Sequence, residues 1–270
     1  MPLLRVERLS VRYESIGATV EAVEGVSFTV EPGEILALVG ESGSGKSSVA
    51  LALTRLLPSP PAVVSGRVLC GEVEVLKASE AALRGIRGGK IAYVFQDPGT
   101  SLNPVLTVGE QLIEMIEQHT DARGGEAERL ALEWLERVGI AAAAERFTAY
   151  PHEFSGGMQQ RVCLAVAMAA QPALLIADEP TTALDVTIQV QILRLLRDLQ
   201  RNFGLAVLLI SHDLTVVERL AHRVGVLEDG KLVEIGTTAQ VLHQPVHPYT
   251  KALLRYRSSM SLRRGGETRS

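Results

Sequence analysis

The run "GESGSGKS", Gly40 to Ser47, sets three glycines, a lysine and a serine between an apolar stretch, "ILALV", and a helical pattern. That order is the chemistry of phosphate binding. Gly40, Gly43 and Gly45 let consecutive backbone N–H groups converge on an anion, and the N-terminus of the following helix adds its partial positive charge. Lys46 is placed to reach β and γ phosphates, and Ser47 to ligate Mg2+. Far downstream, "LLIADEP" ends a second apolar stretch in two adjacent carboxylates, Asp178 and Glu179. Neighbouring side chains of a strand point apart, but at a strand end the chain turns, so both can border one phosphate site in different roles. Asp178 suits the Mg2+ shell; Glu179 suits orienting and partly deprotonating an attacking water. Without the glycine-rich loop, the same two carboxylates read as a solvated pair.

Two single polar residues occupy comparable places. Gln96 ends "KIAYVF" and begins the loop "QDPGTSLNP", and His212 follows "VLLIS"; both stand at strand termini, on the edge of an α/β sheet where ligands bind. A different problem is posed by "FSGGMQQR", Phe154 to Arg161, which places Gly156 and Gly157 at the opening of a helix. Ser155 alone could cap that helix. Two glycines weaken it unless something must approach the backbone closely.

These residues need a scaffold, and the hydrophobic pattern supplies one. "ILALVG" at 35 to 40, "ALLIAD" at 173 to 178 and "AVLLIS" at 206 to 211 are apolar along almost their whole length, as in parallel strands covered on both faces. Helical patterns alternate with them: "KSSVALALTRLL", "TIQVQILRLLRDLQRNF" and "LTVVERLAH". This predicts an α/β core. "LLRVERLSVRY", "AVEGVSFTVEPGE" and "GRVLCGEVEV" at 66 to 75 alternate with period two and predict antiparallel strands flanking the core. Between about 105 and 171 only helical patterns occur, "VGEQLIEMIEQH", "EAERLALEWLERVG" and "QQRVCLAVAMAA", which predicts an inserted helical lobe; "DARGGE" at 121 to 126 reads as a turn or mobile loop within it. The end, "RYRSSMSLRRGGETRS", reads as a frayed tail.

Composition narrows the classes. A chain of 270 residues, 46% hydrophobic and 21% charged, can bury a sizeable core, so disorder is excluded as its main state. A net charge of -4 gives no basic footprint for nucleic acid. The two cysteines, Cys70 and Cys163, lie alone in apolar contexts and form neither a disulfide framework nor a metal-type spacing. Apolar runs are broken well before membrane-spanning length, and the N-terminus has no signal-like stretch, which places the chain in the cytoplasm.

With these pieces in order, the sequence resembles the ATP-binding cassette family of transporter ATPases over nearly all of residues 3 to 254. "GESGSGKS" matches Walker A, Gln96 the Q-loop, "FSGGMQQR" the signature, "LLIADEP" Walker B, "TALD" ending in Asp185 the D-loop, and His212 the switch. The resemblance implies a P-loop NTPase core with a mainly parallel sheet, an antiparallel β subdomain and an inserted helical subdomain, together one nucleotide-binding domain over 1–257 followed by a short tail, 258–270. It implies ATP and Mg2+ as cofactors. The loop residues Gly40, Glu41, Ser42, Gly43, Ser44, Gly45, Lys46, Ser47 and Ser48 bind nucleotide, with Tyr13 stacking on adenine. Ser47, Gln96 and Asp178 surround the metal, and Glu179, His212, Gln96 and Lys46 carry catalysis. In a head-to-tail dimer, Ser155, Gly156, Gly157, Gln159 and Asp185 face the nucleotide of the opposing subunit, which answers the question of the paired glycines.

Two further stretches, "QDPGTSLNP" and "HPYTKALL", are similar to the oligopeptide, dipeptide and nickel importer subgroup. That subgroup implies a subunit at the cytoplasmic face of the inner membrane. Its partners are two permease subunits, a second cassette ATPase and, indirectly, an extracytoplasmic solute-binding protein, with no nucleic acid. The chain has no cysteine beyond Cys163 and ends soon after "HPYTKALL", unlike longer peptide-type members with a cysteine cluster, a departure that favours a shorter nickel-type or a shortened peptide-type subunit and leaves uptake of peptides or nickel open. The rival reading is a soluble cassette ATPase of a carbon–phosphorus lyase complex.

Overall fold

The computed structural model describes residues 1–15, 17–182 and 184–255. In chain order the strands are β1 (Leu4–Ser15), β2 (Ala18–Val30), β3 (Ile35–Val39), β4 (Ala62–Cys70), β5 (Val73–Glu74), β6 (Ile91–Val94), β7 (Leu174–Asp178), β8 (Ala206–Ile210), β9 (Arg223–Glu228) and β10 (Lys231–Thr237). The helices are α1 (Lys46–Ala52), α2 (Glu80–Ile86), α3 (Pro98–Ser101), α4 (Val108–His119), α5 (Gly125–Arg137), α6 (Ala143–Arg146), α7 (Gly156–Ala169), α8 (Val186–Phe203), α9 (Leu214–Leu220) and α10 (Thr238–His243). A further helix covers 248–255. The tail expected over 258–270 lies outside the described residues.

The chain divides into two compact units. One holds Pro2–Val30, Glu34–Leu76 and the described residues from Leu209 onward; the other holds Glu31–Gly33 and Lys77–Leu208. In the first, an antiparallel sheet runs in the order β2-β1-β4-β5. Its register pairs Tyr13 with Val20 on β2 and with Ala62 on β4. The same unit pairs β3 parallel to β9 and β9 antiparallel to β10. Strand β3 is buried at every residue, as its unbroken apolar run requires.

Period-two alternation in β1 is interrupted. Leu4, Val6, Leu9 and Val11 are the buried residues, so the inward face skips by three between Val6 and Leu9. The register shifts at that point and Arg8 takes a left-handed φ of 47°, a bulge that returns the apolar set to the core. Opposite it, a Cβ on Gly66 would stand 2.4 Å from the Arg8 carbonyl oxygen, so only glycine fits there. The expected strand at 66 to 75 is instead a hairpin, β4 turning at Gly71 into the two-residue β5, with a single 3-10 turn following at Val75–Lys77. The hairpin β9–β10 has no counterpart among the expected elements. Its signal was the pair Asp229–Gly230, both at positive φ (45° and 78°), which is the turn chemistry of a tight hairpin.

In the other unit, β6 and β7 pair in parallel, Ile91 to Val94 against Leu174 to Ala177. The residues of β8 that belong to this unit, Ala206 to Leu208, follow β7 in the strand order. The expected helical region contains α4 to α7. Thr107 opens α4 with a reciprocal capping box: its hydroxyl accepts from Glu110 N–H at 3.2 Å, and the Glu110 carboxylate accepts from Thr107 N–H at 2.7 Å. Trp134 is buried in α5, its ring 5.3 Å from that of Phe203. Both cysteines are buried and neither forms a disulfide among the described residues, and burial pushes the Cys163 thiol up to about 12, which leaves it unreactive.

Helix α7 packs on α8 at one point with no slack. A Cβ on Gly157 would lie 2.7 Å from Cγ2 of Ile188. We expect Gly157→Ala to destabilise the chain by about 1–3 kcal/mol through overpacking. In an Ile188→Ala background the same change should cost far less, a coupling that denaturant unfolding of the four proteins in the double-mutant cycle measures directly.

Candidate functional site

Strand β3 delivers the chain into Gly40, and α1 takes it up at Lys46. Two of the three loop glycines are there because the backbone of their own unit stands too close for a side chain. A Cβ on Gly40 would lie 2.3 Å from the Leu227 carbonyl oxygen, and one on Gly45 would lie 2.3 Å from that of Ala22. Gly43 is different: its φ is 84° and nothing lies within 4 Å of where its Cβ would be. The loop is therefore closely approached at both ends, tied at Ser44 by a 3.1 Å hydrogen bond from Gly230 N–H to its carbonyl, and open around Gly43, a cradle that a side chain there would fill. Lys46 is 6% exposed, and its ammonium donates to the carbonyl oxygens of Gly40 (3.0 Å) and Glu41 (2.7 Å) and to Ser44 Oγ (3.2 Å). The positive charge is thus held within the loop that surrounds it. Ser47, in the first turn of α1, is exposed, as are Glu41, Ser42 and Gly43.

In the same unit, Tyr13 is half-buried near the end of β1, and its hydroxyl lies 3.1 Å from Ser48 Oγ. Ser48 is thus engaged with Tyr13. His212 is exposed, between the end of β8 and the start of α9, where Asp213 caps the helix by accepting from Thr215 N–H at 2.7 Å. The flanking Ser211 hydroxyl accepts from Asp213 N–H at 3.0 Å, so the turn that carries His212 is fixed on its far side.

In the other unit, β7 is buried to its last residue, Asp178. Glu179 follows with φ 47°, a left-handed conformation for a residue with a side chain. The Asp178 carboxylate accepts a 2.8 Å hydrogen bond from the Tyr93 hydroxyl on Oδ2. Burial, with the Asp178 charge beside it, pushes the Tyr93 phenol strongly up, so Tyr93 remains a donor at any physiological pH. Tyr93 was not singled out from the sequence. The signal was a phenol inside an otherwise apolar strand, "IAYV", where a buried hydroxyl needs a partner. The Glu179 carboxylate accepts from Gln96 Nε2 at 3.3 Å and from Thr182 Oγ1 at 2.8 Å. Gln96 and Glu179, read separately from two strand ends, are therefore within direct contact.

Ser155 is the N-cap of α7, yet its side chain makes no capping bond to that helix, and both it and Gly156 are exposed. The expectation that Ser155 could cap α7 with its hydroxyl is corrected. Gly157 is buried, and its missing side chain is required by Ile188. Gln159 folds back, donating from Nε2 to the carbonyl oxygens of Pro151 (2.8 Å) and Phe154 (3.3 Å), which fixes the turn ahead of Ser155. Asp185 caps α8 by accepting from Ile188 N–H at 3.0 Å. The oxygen donors Ser47 Oγ and the Asp178 carboxylate are of the hard type that Mg2+ takes, and the glycine cradle with its lysine fits phosphate.

Comparison with known proteins agrees with this chemistry. Residues 23–182 match the model of the ABC transporter family. The chain is 49% identical over 253 residues to the dipeptide transport ATP-binding protein DppD of Bacillus subtilis, covering 93% of this chain and 76% of that protein. It is 52% identical over 254 residues to the peptidoglycan transport ATP-binding protein YejF of Agrobacterium fabrum, covering 94% of this chain but only 46% of that longer protein. Among solved structures, a dimeric ATP-binding cassette in a post-hydrolysis state with ADP and Pi superimposes with a TM-score of 0.77 at 28% identity, over 87% of this chain and 98% of that one. The mixed sheet, the antiparallel sheet and the helices thus form the P-loop NTPase fold expected from the sequence. The chain belongs to the ABC transporter family, and its cassette is that family's Mg2+-dependent ATPase.

Proposed function

We propose that this chain is the ATP-hydrolysing subunit of an importer that brings peptides into the cell through separate permease subunits. The observation that carries this reading is similarity near 50% across 93–94% of the chain to proteins named for dipeptide and peptidoglycan transport. Those relatives favour peptides over nickel as cargo, and they do not favour the carbon–phosphorus lyase alternative. No helix among the described residues is long and apolar enough to cross a membrane. In this reading two permease subunits supply the pathway, the chain sits at the cytoplasmic face of the membrane, and an external solute-binding protein acts through the permeases.

Each residue has a role that its surroundings support. Lys46, held by carbonyl oxygens of its own loop, is positioned to exchange them for phosphate oxygens, with Ser47 as a metal ligand at the helix N-terminus. Bound Mg2+ supplies neutralisation of phosphate charge. Tyr93 orients the Asp178 carboxylate by occupying Oδ2. Gln96 and Thr182 hold Glu179 as the base that orients and deprotonates a water. His212 stands on its braced turn as the switch, and Tyr13 offers a ring to adenine. Ser155 and Gly156, exposed at the start of α7, are proposed to face the nucleotide of a second cassette, and Asp185 shapes the adjoining turn. That second cassette is a copy of this chain or a homologue.

Glu179→Gln should retain Mg-ATP while hydrolysis falls at least about 100-fold. With Mg-ATP the variant should elute as a dimer in size-exclusion chromatography. A monomer under those conditions removes both the base assignment and the paired cassettes. For the transport reading, the tagged chain should co-purify with membrane permeases, and the reconstituted complex should hydrolyse ATP faster when a peptide-loaded binding protein is present. Recovery in a soluble lyase assembly would contradict it.

A further inference from the structure

The stretch "HPYTKALL" marks a subgroup by resemblance, but nothing in the proposed reaction uses it. Each of its first three residues has a local role. His247 precedes the helix over 248–255: its carbonyl accepts from Lys251 N–H at 3.1 Å, and its Nδ1 accepts from Tyr249 N–H at 3.3 Å, so the imidazole acts as the helix cap. Pro248 takes the first helical position, where its missing N–H is no loss. Ahead of the cap, the Glu234 carboxylate on β10 accepts from the backbone N–H groups of Val246 (2.8 Å) and His247 (3.0 Å), which pins the start of the helix to the β9–β10 hairpin. The third residue reaches the phosphate loop. The Tyr249 hydroxyl accepts a 3.3 Å hydrogen bond from the backbone N–H of Glu41. The Glu41 carbonyl oxygen also accepts from the Lys46 ammonium at 2.7 Å.

We infer that Tyr249 is a positioning residue of the phosphate loop: the C-terminal helix holds the peptide of Glu41 and, through it, sets where the Lys46 ammonium stands. This rests on the reading of Gly40 to Ser47 as the cradle for the phosphates of ATP. Glu41 stands between the places where the rest of the unit meets the loop, Gly40 on one side and Ser44 and Gly45 on the other. The carbonyls of Leu227 and Ala22 close on the loop at Gly40 and Gly45, and Gly230 N–H donates to the Ser44 carbonyl at 3.1 Å, whereas nothing lies within 4 Å of a Cβ on Gly43. Besides the Gly230 bond, the Tyr249 hydroxyl is a further point of attachment, supplied by an element more than 200 residues away along the chain. The His–Pro–Tyr order follows from this role, because a cap and a rigid first residue fix the helix start, so that the second residue of the helix presents its hydroxyl to the loop.

Tyr249→Phe removes one oxygen and keeps the ring. Isothermal titration of the full chain with Mg-ATP should show Kd raised about threefold to tenfold, the worth of one hydrogen bond in a site. In the assembled ATPase the change should appear in KM and not in kcat, and the melting temperature without nucleotide should stay within about 2 °C of the parent. Unchanged affinity overturns the inference while leaving the cradle intact. A loss of affinity accompanied by a large drop in melting temperature also overturns it, since Tyr249 then matters only for folding. If the parent chain binds no Mg-ATP, the reading of the cradle falls and the inference with it.

Discussion

The left-handed backbone of Glu179 is the constraint on which the candidate chemistry depends. A strand that ended in regular extended form would send adjacent carboxylates to opposite faces, and one of the pair would be lost to the site. Strand β7 stays regular and fully buried through Asp178, then breaks within a single residue. A non-glycine residue in that conformation carries strain of about 1 kcal/mol or more, which persists only where surrounding contacts determine it. Here the contacts are the hydrogen bonds from Gln96 and Thr182 to the Glu179 carboxylate, with Tyr93 fixing Asp178 on the other side of the break. Two identical-looking acids thereby acquire different surroundings, one buried and paired with a phenol, the other half-buried and held by an amide and a hydroxyl.

The same economy governs the glycines. Gly40 and Gly45 are excluded from bearing side chains by carbonyl oxygens, whereas Gly43 faces open space. The pair at the start of α7 divides in a similar way: Gly156 is exposed, while Gly157 is consumed by close packing against Ile188. A single motif thus combines a surface requirement with an internal one. Ser155 stands beside them exposed and without a capping bond, although its backbone has the dihedral angles of an N-cap.

Much of the fold was legible because its signals are local. Unbroken apolar runs specify covered strands wherever they occur, and β3, β7 and β8 are each buried at every residue. Amphipathic spacing gave α4, α5 and α8 nearly to the residue, since a helix buries one stripe irrespective of its partner. The bulge at Arg8 and the β4–β5 hairpin were not legible, because each is decided by which strand lies opposite. The β9–β10 hairpin had a signal in Asp229–Gly230, but β10 is half-exposed and lacks the apolar run that made other strands plain.

By itself, the sequence determined the chemistry available: a glycine cradle with a lysine, two acids ending a buried strand, a glutamine and a histidine at other strand ends, and a serine with two glycines opening a helix. Residue type and spacing suffice for that, because a P-loop or a strand terminus is built from neighbours in the chain. Only the tertiary structure decided which of those groups are engaged with one another. Tyr93 on Asp178, Gln96 on Glu179, Ile188 against Gly157 and Tyr249 on Glu41 join residues from about 30 to more than 200 positions apart. Such pairs carry no periodic trace in the sequence, since each depends on where two independently folded segments happen to be brought together.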